Sequence, residues 1–192
     1  MLHFPNTNAS MLSEAEGMKM RYSRQFAALA SLLLVFVLGA CATRAQQPAG
    51  VTFIVVRHAE KVDDGSKDPP LSEAGLARAQ AVAAALRDAP LRGVYATAYQ
   101  RTQQTAAPAA HAHSLPVVTY DAKLAPTDFA AQLRREHTTG TVLVVGHSNT
   151  VPGIAAALCE CTVSSMEDTE YDRWIRIQVD ASGDATLQET RY

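Results

Sequence analysis

Val51-Thr52-Phe53-Ile54-Val55-Val56-Arg57-His58-Ala59-Glu60-Lys61 opens as an unbroken apolar and β-branched run and ends abruptly in polar and charged side chains. A strand buried on both faces of a parallel sheet reads this way, because it has no solvent side to alternate towards. Such a strand delivers its last residues to the carboxyl edge of the sheet, where α/β proteins bind ligands. The same grammar recurs twice downstream. Gly93 to Ala96 predicts a short strand, followed by Thr97-Ala98-Tyr99-Gln100-Arg101-Thr102-Gln103-Gln104-Thr105-Ala106 at the opening of a helix that Pro108 kinks. Thr141 to Val145 predicts another strand, ending in Gly146-His147-Ser148-Asn149-Thr150.

The intervening segments complete the pattern. Ser72 as N-cap and Glu73 in the first turn open an Ala-rich helix reaching about Arg87. Pro116 to Tyr120 predicts a third strand, Asp128 to Glu136 a short helix, and the residues after His147 a helix to about Leu158. Tyr171 to Val179 and Ala185 to Thr190 read as two closing strands around the turn Ser182-Gly183-Asp184. Alternation of strand and helix predicts an α/β fold with a mostly parallel sheet, helices on both faces and all three polar clusters on one rim.

Composition narrows the function classes. A chain of 192 residues that is 47% hydrophobic and 19% charged reads as one globular domain. Acids outnumber bases 19 to 17, so the chain lacks the basic footprint of a nucleic-acid binder. No repeat or low-complexity tract points to a solenoid or a disordered chain.

The N-terminus reads differently from the rest. Lys19, Arg21 and Arg24 precede an apolar run from Phe26 to Ala40, the layout of a signal peptide and too short for a membrane-spanning helix, which needs about 20 apolar residues. Leu38-Gly39-Ala40-Cys41 resembles the lipobox of bacterial lipoproteins. That resemblance implies export across the inner membrane, cleavage before Cys41, lipidation of its thiol and a periplasmic domain anchored to the membrane, with Ala42 favouring the outer membrane. Plain secretion, with cleavage after Ala42 or Ala45, is the alternative. The expected organisation is a signal segment over 1–41 with translation starting at Met18 or Met20, a tether over 42–50 and a domain over 51–192. In an oxidising compartment Cys159 and Cys161 are bridged, metal-bound or free, and the lack of two further ligands nearby favours a local disulfide or idle thiols.

Two guanidiniums present paired donors matched to phosphate oxygens, and an imidazole with a free nitrogen attacks phosphorus. Arg57, His58, Arg101 and His147 therefore point to phosphoryl transfer. Arg57-His58-Ala59-Glu60, Leu71-Ser72-Glu73-Ala74-Gly75, Thr97 to Ala106 with Arg101, and Gly146-His147-Ser148, in this order, resemble the histidine phosphatase superfamily, the phosphoglycerate mutase-like proteins. The resemblance runs from Val51 to the C-terminus and looks most like the branch that includes bacterial phosphohistidine phosphatases.

The resemblance implies a three-layer α/β/α sandwich and a small phosphorylated substrate, with no metal and no cofactor. His58 would become phosphohistidine, one of its nitrogens held by a backbone carbonyl. Arg57, Arg101 and a protonated His147 would clamp the phosphoryl group, the Ser148 backbone N–H would add a donor, and Glu60 would stand within reach of the substrate. Ala59 departs from the family's usual Gly and is expected to be tolerated outside a left-handed backbone. The family's acid position falls near Ala125 or Pro126, neither of which carries a proton to give. Asp128, then Asp121 or Glu60, are the substitute acids, and without one the expected preference is for good leaving groups. A phosphomutase and a phosphate-recognising lipoprotein without turnover are the alternatives. Specificity would lie in the loops 63–70, 121–127 and 162–170, where the sequence carries no readable code for the substrate.

Overall fold

The computed structural model describes residues 50–192. The basic and apolar leader, Cys41 and most of the expected tether lie outside the described residues.

Six strands form one sheet: β1 (Gly50–Arg57), β2 (Leu91–Ala96), β3 (Val117–Thr119), β4 (Gly140–Gly146), β5 (Arg173–Asp180) and β6 (Ala185–Arg191). Among the described residues four helices, α1 (Glu73–Ala85), α2 (Gln100–Ala112), α3 (Pro126–Glu136) and α4 (Val151–Cys159), alternate with them in the expected order. The strand order is β3-β2-β4-β1-β5-β6. Its first four members are parallel, while β5 runs antiparallel to β1 and β6 antiparallel to β5.

Successive side chains of β1 point to opposite faces. Phe53 and Val55 join a core with Phe129, Leu133, Ile154 and Leu158, which places α3 and α4 on one face. Ile54 and Val56 join Val82, Ala106 and Ala110, which places α1 and α2 on the other. This is the three-layer α/β/α sandwich, and it is why the β1 run shows no alternation.

Several boundaries differ from expectation for local reasons. α3 begins at Pro126 rather than Asp128, because a proline in the first turn gives up only an N–H that has no helical partner. α1 stops at Ala85, two residues short of Arg87, and α2 runs on through Pro108 to Ala112. Tyr171 and Asp172 precede β5 instead of belonging to it. Cys159 and Cys161 are joined as a disulfide at the end of α4.

Register fixes the working rim. Arg57 lies beside Gly146 across β1 and β4, and Val145 lies beside Ala96 across β4 and β2. The residues that follow β1, β4 and β2, His58, His147 and Thr97, therefore leave three adjacent strands within one residue of the same level.

Candidate active site

His58 is buried just past β1, and its backbone N–H donates to Gly146 O at 2.9 Å, tying the two strand ends together. Its Nδ1 lies 2.8 Å from Ala59 O, a contact in which only the nitrogen can donate. Nδ1 therefore carries the proton and Nε2 keeps a free lone pair. The backbone carbonyl expected to hold the ring is that of the next residue. Ala59 is not among the residues with positive φ, and its N–H donates to Thr105 Oγ1 at 2.9 Å, so a side chain is accommodated where the family usually has Gly. Burial, with smaller contributions from Arg57, His147 and Arg101, pushes the His58 pKa down to about 3 despite the opposing Ala59 hydrogen bond. The ring is neutral at physiological pH.

Arg57 is only 5% exposed. Its Nη1 faces the carbonyls of Glu167, Asp168 and Glu170 at 3.1, 2.9 and 3.2 Å, and its guanidinium sits 4.1 Å from the centroid of the Tyr171 ring. Among the described residues its buried Nε has no hydrogen-bond partner and no carboxylate pairs with it. A buried guanidinium without a counter-charge is costly, and a bound oxyanion offsets that cost.

Arg101, in the first turn of α2, lies 4.4 Å from the centroid of the Tyr99 ring and 3.6 Å from Asp68 Oδ1. Tyr99 occupies the N-cap of α2 yet makes no side-chain cap hydrogen bond, so this position serves the site rather than the helix.

His147 follows β4 with its ring 5.4 Å from that of His58, edge-on to it and to Tyr99. Its Nε2 lies 3.0 Å from Thr97 Oγ1, which in turn lies 2.8 Å from Thr102 Oγ1. The Thr102 hydroxyl donates to backbone carbonyls of Tyr99 and Thr97 at 2.8 and 3.0 Å. Thr102 thus accepts from Thr97, and Thr97 accepts from His147 Nε2–H, which selects that tautomer. Burial first, then Arg101 and Arg57, lowers the His147 pKa to about 4, so the protonated ring expected in the clamp requires a bound anion.

The structure therefore brings Arg57, His58, Arg101 and His147 together at one rim and leaves the expected acids elsewhere. The Glu60 carboxylate is bidentate on Arg78, at 2.6 to 3.0 Å, which holds its pKa below the usual range and engages it away from the substrate and proton-donor roles expected of it. Asp128 stands exposed in the first turn of α3 and makes no side-chain hydrogen bond to the four site residues. Asp121 accepts from the Lys123 N–H at 2.9 Å. Ala125 and Pro126 mark the start of α3.

The sequence resemblance implies a role for Ser148 through its backbone N–H, and the structure adds one for its side chain. Ser148 contributes its hydroxyl, which donates to Asp168 Oδ1 at 3.0 Å. Asp168 lies 111 residues from Arg57 in the chain, so no local pattern flags it. Gly75 explains the Leu71 to Gly75 motif: a Cβ there would stand 2.0 Å from Glu60 O, so only glycine lets α1 pack against the segment after His58. Among the described residues no group of three or more His, Cys, Asp or Glu is arranged to hold a metal ion.

Residues 53–129 match the model of the histidine phosphatase superfamily (branch 1). Over that stretch the chain resembles the histidine phosphatase superfamily. The matched span holds Arg57, His58 and Arg101, and the parallel pairing of β1 with β4 adds His147.

Solved structures of similar fold include the protein histidine phosphatase SixA complexed with tungstate, at 20% identity and a TM-score of 0.58, covering 73% of this chain and 96% of that one. A mycobacterial glucosyl-3-phosphoglycerate phosphatase is 15% identical with a TM-score of 0.58, covering 74% and 98%. A phosphoserine phosphatase from Entamoeba histolytica in complex with 3-phosphoglyceric acid is 13% identical with a TM-score of 0.53, covering 74% and 97%. At these identities the likeness is one of fold. No curated protein matches the sequence.

Proposed function

We propose that this chain is a phosphatase that hydrolyses phosphate esters or anhydrides through a phosphohistidine on His58, without a metal ion. The match of residues 53–129 to the histidine phosphatase superfamily supports phosphatase chemistry. The observation that carries the mechanism is the His58 ring, with Nδ1 committed to Ala59 O and a free Nε2 in the company of Arg57, Arg101 and His147.

In the first half Nε2 attacks phosphorus and the P–O bond to the leaving group breaks. Arg57 and Arg101 hold the phosphoryl oxygens through a loose transition state, where positioning and charge stabilisation are most of what a protein supplies. A bound phosphate dianion favours protonation of His147, which makes the ring a third donor. In the second half water attacks the phosphorus, the P–N bond breaks, and inorganic phosphate and neutral His58 are released.

The substrate is a small phosphorylated molecule, and residues 51–192 are the catalytic domain. We further propose export and lipid anchoring through Cys41, with the enzyme periplasmic at the outer membrane, supported by the leader and the lipobox-like stretch Leu38 to Cys41 in the sequence.

The deciding experiment is phosphate release from p-nitrophenyl phosphate in the presence of a chelator, by the full chain and by His58→Ala. Activity that survives the chelator and disappears in the variant supports the reading. Phosphate binding without turnover or covalent label at His58 supports a recognition protein in its place, and transfer of phosphate to a second hydroxyl supports a mutase.

A further inference from the structure

The site as described lacks a group that gives a proton to the departing oxygen. The positions beside α3 do not supply one, Glu60 is held by Arg78, and Asp68 is occupied by the Gln100 N–H at 2.9 Å and faces the Arg101 guanidinium. We propose that Asp168 is the proton donor to the leaving group and the base for the attacking water, an assignment that rests on the phosphatase reading above.

Two contacts place it. Its Oδ1 accepts from Ser148 Oγ at 3.0 Å and its carbonyl accepts from Arg57 Nη1 at 2.9 Å. Ser148 and Arg57 are the chain neighbours of His147 and His58, whose rings stand 5.4 Å apart. Asp168 is therefore tied by both side chain and backbone to the residues flanking the two histidines. Among the described residues Oδ2 makes no hydrogen bond or ion pair, and the side chain is exposed to solvent.

The loop that carries Asp168 is fixed along its length. The Cys159–Cys161 disulfide closes its start. Buried Arg173 donates from Nη1 to the carbonyls of Ser164 and Ser165 at 3.2 and 3.1 Å, and Met166 enters the core. Arg57 then takes the carbonyls of Glu167, Asp168 and Glu170, and Glu170 pairs with Arg191 at 3.1 Å. Two buried arginines staple one loop to the sheet, so the carboxyl is held in place before substrate arrives, as a general acid requires.

The proton inventory closes over one turnover. Protonated Oδ2 gives its proton to the bridging oxygen as the P–O bond breaks and the Nε2–P bond forms. The resulting carboxylate takes a proton from the water that attacks phosphorus as the Nε2–P bond breaks. Asp168 and His58 both return to their starting states, and a leaving group of high pKa departs as the alcohol.

The test is a series of aryl phosphates whose phenols span good to poor leaving groups, read as kcat/KM for the full chain and for Asp168→Asn. kcat/KM reports the first phosphoryl transfer alone, and the amide keeps the shape and the bond from Ser148. The variant is expected to fall within about fivefold of wild type on p-nitrophenyl phosphate and to lose about a hundredfold on unsubstituted phenyl phosphate, the scale of general acid catalysis. Its affinity for orthovanadate stays that of the wild type, which shows an intact clamp, and Asp168→Glu recovers part of the phenyl phosphate rate. Equal losses on both substrates, or none on either, overturn the assignment. If the wild type turns over no aryl phosphate, or His58→Ala retains activity, the phosphatase reading falls and the role of Asp168 with it.

Discussion

Thr97 Oγ1 lies 3.0 Å from Nε2 of His147, so a side chain at the end of β2 sets the tautomer and tilt of a ring at the end of β4. Thr97→Val keeps the shape and removes the acceptor, leaving the Nε2–H unsatisfied in a partly buried place at a cost of about 1–3 kcal/mol. The expected result is a fall of about tenfold in kcat/KM, with Thr97→Ser near wild type. Steady-state kinetics of the two variants check it, and equal activity in both would remove Thr97 from the positioning of His147.

Burial holds the pKa of His58 at about 3 and that of His147 at about 4, below the 6.5 of a free imidazole. Between those values and 6.5 the unfolded chain binds protons that the folded chain refuses, so stability rises with pH across this window and gains nothing more from these groups above it. The carboxylates also titrate there, so the comparison is with a variant. Thermal melts at pH 4.5 and 7 should show a smaller difference for His147→Gln than for the wild type.

Arg57 and Arg101 carry like charges but different structural duties. Arg57→Ala removes the donor shared by the carbonyls of Glu167, Asp168 and Glu170, and is expected to destabilise the domain by about 2–4 kcal/mol besides weakening phosphate binding. Arg101→Ala leaves that loop tied and should lower orthovanadate affinity about a hundredfold with little change in melting temperature. Calorimetric binding beside thermal melts separates the two, and a matching loss of stability in both variants would contradict the division.

Glu60 belongs to the scaffold by its contacts, all of its side-chain hydrogen bonds going to Arg78. Glu60→Gln weakens a partly exposed pair and is expected to cost about 0.5–1 kcal/mol while kcat/KM stays within about twofold of wild type. A steep loss of turnover on poor leaving groups would return the acid role to Glu60.

Gly75 lies beneath the Glu60 carbonyl, and the 2.0 Å separation a Cβ would have forces α1 and the segment after His58 apart. Gly75→Ala is expected to destabilise the protein by about 1–3 kcal/mol, because neither backbone segment can yield cheaply. Chemical denaturation provides the value. A neutral outcome would show that the contact relaxes without cost.

The parts of this molecule read from sequence are those governed by short-range physics. The unbroken run Val51 to Val56 states that a strand is buried on both faces, and with it that Arg57 and His58 lie on a carboxyl edge. Arg101 opening a helix and His147 closing a strand follow from the same alternation, because a crossover helix returns each parallel strand to the same end of the sheet. Strand and helix periodicity therefore determined the fold class and the shared rim, while the proposed phosphate-holding role of the residues on it came from their chemistry and from the family resemblance. Contacts between distant segments decided the rest. The pairing of Glu60 with Arg78, the stacking of Arg57 on Tyr171 and the seat of Asp168 beside Ser148 join loops whose local sequence is compatible with many paths. Those paths are selected by tertiary contacts, because the buried guanidinium of Arg57 needs acceptors and the loop 160–172 supplies them. The neutrality of His58 and His147 is tertiary for the same reason: it comes from desolvation between strands and helices, and no residue bears that mark in the sequence.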